Sequence, residues 1–429
     1  MSDIKRQLGH LRGDTGKNQS KNSSIKEKLD RLYNRDAPEK YFPEEQVVRS
    51  HKRLEELIAG EYVNTTTGDV FRARTQLDEE YLHGDIRIND VHSIDSERIA
   101  KLGKIPGGQP LDIHRALFLD TEASGLSGGT GTYAFMIGIG YFEQKQLYVD
   151  QLFVDSYAKE EGMLDILRDY CEQASMIVSF NGKSFDLSLL ETRYLMHGQS
   201  SPFRELPHLD LLHPARNLWN LDLQNCRLQT IEAEVLRFYR QDDTPGAEVP
   251  GIYFDFLRTG DPDEIAGVFE HNVHDIVSLV AVTTLLDQNF AGIRDIPVES
   301  GLTSFSRGKI FEKQGDLEQA VECFKASLNT EVSSTRQQKI LSSMAGIYKR
   351  QKRWELALPL WQKMIQQVNM FVLEPYEELA KYYEHRVKKF NTALDYVEAA
   401  LAQIPRHRNE DIAAMTHRRN RLQRKLEQK

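Results

Sequence analysis

A chain of 429 residues that is 40% hydrophobic and 28% charged has material for two or three domains with real cores. Three scattered cysteines, Cys171, Cys226 and Cys323, with no C-x-x-C pair, exclude a disulfide framework or a cysteine-rich zinc site and read as buried free thiols. A net charge of −9 argues against a uniformly basic nucleic-acid binder, and with neither a secretory start nor an apolar run of the ~20 residues that cross a bilayer, a cytoplasmic protein without membrane contact is expected.

Residues 1–41 are basic and rich in Lys, Asn and Ser, the composition of a disordered segment. Residues 42–114 read as a small α+β region of no evident role, with a helical stretch from about Phe42 through Val47, Val48, Leu54, Leu57 and Ile58, a turn at Gly68-Asp69, and short strands at Val70–Arg74 and Gly84–Ile88. Residues 115–290 carry the clearest pattern. Arg115–Asp120 is a buried-type strand, and Tyr133–Tyr141 and Leu147–Phe153 continue it as an antiparallel meander. A helix near Glu160–Glu172, a buried strand Met176–Phe180 and a late helix Glu264–Leu286 complete a mixed α/β sheet with flanking helices. From 301 to 404 everything reads as helix. Ala320, Ala357 and Ala393 recur at 36–37 residues, with Phe324 and Trp361 four residues beyond the first two. Small residues let paired helices approach, so this period resembles the ~34 of tetratricopeptide repeats. Residues 405–429 form a basic helix or tail, able to touch phosphates or merely to solvate a helix face.

Asp120 and Glu122 lie two apart on one strand and so share a face. Neighbouring carboxylates repel, so one stays protonated or a cation sits between them. Asp186 follows the strand-and-turn run Ile177–Phe185 and opens a helical stretch, where an Asp is otherwise a simple N-cap. Asp275 lies on the late helix beside Ile276 and Val277, and His271, four residues earlier, shares its face. Acids from two strand ends and a helix can hold two hard cations, and oxygen donors suit Mg²⁺ or Mn²⁺. Two such ions about 4 Å apart clamp both oxygens of an in-line phosphodiester displacement.

Asp120-Thr121-Glu122, Asn181–Asp186 and His271–Asp275 resemble, in order and spacing, the three motifs of DEDD exonucleases of the ribonuclease-H-like superfamily. The run Asp120–Gly131, with Asn181–Asp186 and Glu191–Tyr194, is similar to bacterial YprB-like ribonuclease-H-like proteins, and a tetratricopeptide-like tail fits that group. The resemblance implies metal ligands at Asp120, Glu122, Asp186 and Asp275, 3′→5′ exonuclease chemistry on DNA or RNA with a single-stranded end, and substrate contacts near Leu126 and Asn181. In that superfamily the last Asp follows Tyr by four residues or His by five. Here His271 holds the Tyr-type place, and it can orient or deprotonate the attacking water. His274 is the weaker substitute.

Lys183 suits a phosphate or simply solvent. Phe180, Phe185 and Tyr133 could stack on bases, although Phe180 reads as core. The Gly125–Gly131 loop lacks the Gly-Lys-Ser/Thr of a phosphate-binding loop, which excludes a nucleotide triphosphatase. His274-Asp275 alone does not make a His-Asp phosphohydrolase, whose ligands spread over several helices. The competing class is a catalytically weak or inactive nuclease fold that binds nucleic acid or scaffolds a protein partner through its helical repeats.

Overall fold

The computed structural model describes residues 52–106, 111–125, 131–291, 301–367 and 371–428; the expected segment 1–41 lies outside them. Seven strands form one mixed sheet: β1 (Gly60–Thr65), β2 (Gly68–Leu77), β3 (Ala116–Ala123), β4 (Ala134–Glu143), β5 (Gln146–Phe153), β6 (Met176–Ser179) and β7 (His208–Asp210). Their order is β1-β2-β5-β4-β3-β6-β7. The first five pair antiparallel, and β6 and β7 join in parallel beyond β3. The meander follows the expected alternation. The region preceding residue 115, read from sequence as separate, instead lends β1 and β2 to the same sheet, with Phe71 opposite Phe153 and Leu77 opposite Leu147.

Alternation on β3 sends Leu117 and Leu119 to one core and Ala116 and Phe118 to the other. The first face is covered by α2 (Glu160–Gln173), α3 (Asp186–Met196) and α5 (Val249–Thr259). The opposite face carries α1 (Ser96–Gly103), α4 (Leu212–Trp219) and most of α6 (Asp263–Ala291). Asp120 and Glu122 continue the Phe118 register, so they emerge on the face of the long helix. That helix is long and apolar enough to cross a membrane, but 67% of its apolar stretch is buried inside the protein, as a core helix is. Two glycines on β4 seat it. A Cβ at Gly138 would lie 2.2 Å from Asn272 Oδ1, and one at Gly140 2.5 Å from Ile276 Cγ2. All three cysteines are buried free thiols, as expected.

Downstream the chain is all helical: α7 (Gly301–Gln314), α8 (Leu317–Leu328), α9 (Ser334–Arg350), α10 (Trp354–Gln367), α11 (Leu373–Tyr382), α12 (Phe390–Leu401) and α13 (Asn409–Glu427). Ala320, Ala357 and Ala393 are fully buried, with Phe324 and Trp361 packed beside them. A second small-residue series has nearly the same period: Gly308, Ala345 and Ala380 lie on the first helices of the three pairs. A Cβ at Gly308 would meet the Phe324 ring at 2.6 Å, so the first pair closes on that glycine. The basic end is partly spent internally. Arg418, Arg421 and Lys425 of α13 converge on the buried Glu384 carboxylate at 3.1, 2.8 and 2.9 Å.

Candidate metal centre

The strand β3 delivers Asp120 and Glu122 to a half-buried rim, and Thr121 between them turns to the other side. Its N–H and Oγ1 donate to Asp186 Oδ1 at 3.1 and 2.6 Å. Asp186, at the first position of α3, is thereby tied across to β3 rather than acting as a simple cap. Asn272 of α6 donates from Nδ2 to Asp120 Oδ2 at 3.0 Å. Its own Oδ1 accepts from Gln151 Nε2 at 3.0 Å, which fixes the amide's orientation.

One turn around the same helix, Asp275 and His271 face the carboxylates. Ligand atoms of Glu122, His271 and Asp275 all lie within 4.8 Å of one another. His271 Nδ1 lies 2.7 Å from Asp243 Oδ1 and 3.2 Å from Arg240 Nη1, which fixes the ring's orientation, and Nε2 faces Asp275 Oδ2 at 3.4 Å. Asp120 and Asp186 stand outside this tight trio and join it through charge. Burial pushes the Asp120 and Glu122 carboxyls well above the usual range, and the negative charges of Asp275 and Asp186 push them further. Burial likewise raises Asp186 to about 6, against the lowering effect of the Thr121 hydrogen bonds.

Charge balance tests whether these residues fit a cation. Four carboxylates converge, and the formal positive charge beside them is Arg240. That guanidinium is shared: it pairs with Glu232 through Nε at 2.8 Å, with Asp243 through Nη1 at 3.4 Å, and with Asp275 through Nη2. The net negative charge, the oxygen donors and one imidazole fit a hard divalent ion such as Mg²⁺ or Mn²⁺.

The ribonuclease H (RNase_H) superfamily matches residues 117–287, the span that contains every residue of this centre. Over 310 residues the chain is 31% identical to YprB, an uncharacterized protein of Bacillus subtilis (strain 168), which covers 72% of this chain and 74% of that protein. The chain belongs to the YprB family. The mixed α/β sheet with its flanking helices is therefore the ribonuclease-H-like sheet of a YprB-family protein.

The remaining sequence candidates divide. Asn181 adopts a left-handed φ of 66°, and its N–H and that of Lys183 donate to Asp210 at 2.8 and 3.2 Å. The Lys183 side chain is exposed. Leu126 lies outside the described residues. Phe185 is 59% exposed and lines a cavity of about 550 Å³ with Glu122, Asp186 and Thr192. Phe180 packs against the core, and Tyr133 bonds Tyr253 at 2.9 Å between their hydroxyls. His274 turns away toward the Phe238 ring. Sequence reasoning missed Arg240, Asp243 and Glu232, which sit on a π-turn and loop with no periodicity to mark them. Asn272 carried a signal that went unused: an amide inside the third motif, on a helix whose neighbours are apolar.

Proposed function

We propose that this YprB-family protein is a metal-dependent nuclease that hydrolyses phosphodiester bonds of DNA or RNA, acting 3′→5′ from a single-stranded end. The observation that carries the reading is the convergence of Asp120, Glu122, Asp186 and Asp275 from three separate segments into one region, where burial and neighbouring negative charge raise the first three carboxyls. Asp120, Glu122, Asp186 and Asp275 would hold two Mg²⁺ or Mn²⁺ ions, with His271 as a further donor or as the base. When bound, such ions supply Lewis-acid charge to the phosphoryl oxygens and lower the pKa of the attacking water.

The protein's own residues do the rest. His271, oriented by Asp243, offers Nε2 to the water proton as the water oxygen attacks phosphorus and the bond to the 3′ oxygen of the neighbouring nucleotide breaks. Thr121 fixes Asp186, and Asn272 fixes Asp120. The cavity beside Glu122 accommodates the terminal nucleotide, with Phe185 as a stacking face; stacking on an aromatic contributes about 1–3 kcal/mol per base. Asn181 and Lys183, whose N–H groups are held by Asp210, meet the next phosphate, and the family resemblance adds a substrate contact near Leu126. The helical repeats, tetratricopeptide-like in pattern, position the substrate or recruit a protein partner.

The test is a panel of labelled single- and double-stranded DNA and RNA, each with Mg²⁺, Mn²⁺ or chelator. Metal-dependent shortening from the 3′ end, lost in Asp120→Asn/Glu122→Gln, supports the reading; no cleavage of any substrate by the folded wild type rejects it. One observation favours a second reading, a weak or inactive nuclease fold: Arg240 already pairs with Asp275 and so supplies part of the charge a cation would bring. Mn²⁺ titration separates the two, because an inactive scaffold plugged by Arg240 gains affinity in Arg240→Met without gaining cleavage.

A further inference from the structure

A cleft of about 910 Å³ opens between the sheet domain and the first helices of the repeat domain. Lys101 of α1, Lys104 just beyond its end and Arg216 of α4 line one side, and Lys313, Arg336 and Arg350 line the other from α7 and α9. Lys309 adds a seventh cation. Glu312 is the single carboxylate among the described lining residues, and it is already taken by Lys309 at 2.6 Å and Arg350 at 2.9 Å. Lys101, Lys104, Arg216 and Lys313 form no ion pair among the described residues and are exposed. In a chain of net charge −9, so concentrated an unspent positive charge marks a polyanion site.

The rest of the lining selects the polyanion. The Arg336 guanidinium lies 4.9 Å over the Phe305 ring, a flat cationic platform, and the exposed amides of Asn217 and Asn220 stand on the opposite wall. Unpaired bases stack on such guanidinium planes and bond to such amides, while the lysines take phosphates. An acidic peptide without aromatic side chains would use the charges but offer no flat face to the guanidinium plane.

We propose that this interdomain cleft is a second nucleic-acid contact, gripping a single strand at phosphates away from the metal centre. The nuclease reading supplies only the expectation that a strand is the cargo; the cleft itself needs no catalysis. Fluorescence polarisation with a labelled 20-nucleotide single strand, in chelator and over a salt series, tests it on the full chain. The triple variant Lys101→Gln/Lys104→Gln/Lys313→Gln, with its fold checked by circular dichroism, is expected to bind at least 10-fold more weakly. Its log-affinity against log-salt slope should be shallower by about 2, since each lost phosphate contact on a single strand removes about 0.7. Triple Lys→Arg should restore both. Unchanged affinity and slope in the Gln variant, or equal wild-type affinity for poly-glutamate of the same charge, would overturn the proposal. A dinucleotide substrate separates this from the nuclease reading. If the wild type cleaves it and the Gln variant does so equally while losing the 20-nucleotide strand, both ideas stand. If no substrate is cleaved yet strand binding depends on the lysines, the cleft stands without the nuclease.

Discussion

Glu122 and Glu384 are both buried carboxylates, and their surroundings treat them oppositely. Burial alone would raise both. At Glu384 the hydrogen bonds of Arg421 and Lys425 outweigh it and hold the carboxyl down at about 2. At Glu122 the neighbours are Asp275 and Asp186, and the carboxyl is pushed up. Three cations make Glu384 a pin between the π-turn Tyr383–Val387 and α13. A shortage of cations leaves the β3 rim with unbalanced negative charge, the basis of the proposed metal site. Burial of an acid is thus no sign of function; an unbalanced charge around it is.

The contrast can be broken most strongly at the rim. Asp120→Asn/Glu122→Gln should lower metal-dependent cleavage by roughly 10³-fold or more, as expected when several kcal/mol of metal-borne stabilisation is lost. The same variant should melt higher than wild type in chelator, because it removes repelling charge. Metal addition should reverse that order: Mn²⁺ at 100 times its Kd adds about 2.7 kcal/mol to the wild type, read as a rise in Tm that the variant lacks. Glu384→Gln goes the other way, destabilising by about 3 kcal/mol in denaturant melts with metal-dependent cleavage at saturating substrate retained, since it strands three cations.

The pH dependence has opposite signs at the two sites. Asp186 is raised in the folded state, so the metal-free protein binds more protons than its unfolded chain between about 4 and about 6, and stability falls as pH rises through that window. Glu384 is lowered, so its contribution is present above about 4.5 and is lost as pH falls toward about 2. Melting curves with Asp186→Asn should flatten the first slope without abolishing it, because Asp120 and Glu122 are raised as well, whereas Glu384→Gln should remove the second; a slope left unchanged by its variant would reassign it. A smaller effect is expected at Gly138→Ala, about 1–3 kcal/mol, because the added methyl collides with Asn272 and forces α6 off the sheet. Smallest is Asp210→Asn, about 1 kcal/mol, from weaker acceptance of the Asn181 and Lys183 N–H groups, visible as faster hydrogen exchange in that loop.

The acids were legible because each lay where a simple period exposed it: Asp120 and Glu122 at the end of an apolar strand, Asp275 on an apolar helix. What surrounds them was not. Arg240 reaches Asp275 from a loop, and no local pattern encodes a contact across 35 residues. The same holds for β2, whose partner β5 lies some seventy residues on, so the sheet's true edge was invisible in a pattern that reads only neighbours. β7, three residues long, is too short to carry alternation. The paired alanines of the repeats were legible, and the matching series Gly308, Ala345 and Ala380 was there to be read at nearly the same period.

The long helix α6 has one further consequence. Its early turns carry His271, Asn272 and Asp275, while near its other end Asp287 is gripped by Arg98 and Phe290 rests against Phe311 of α7. One continuous helix thus runs from the carboxylate cluster to the C-terminal helices. A slide of a single residue along its axis, about 1.5 Å, would carry His271 and Asp275 away from Asp120 and Glu122 on β3. Anything that tugs on these C-terminal helices is therefore mechanically in reach of the carboxylate cluster.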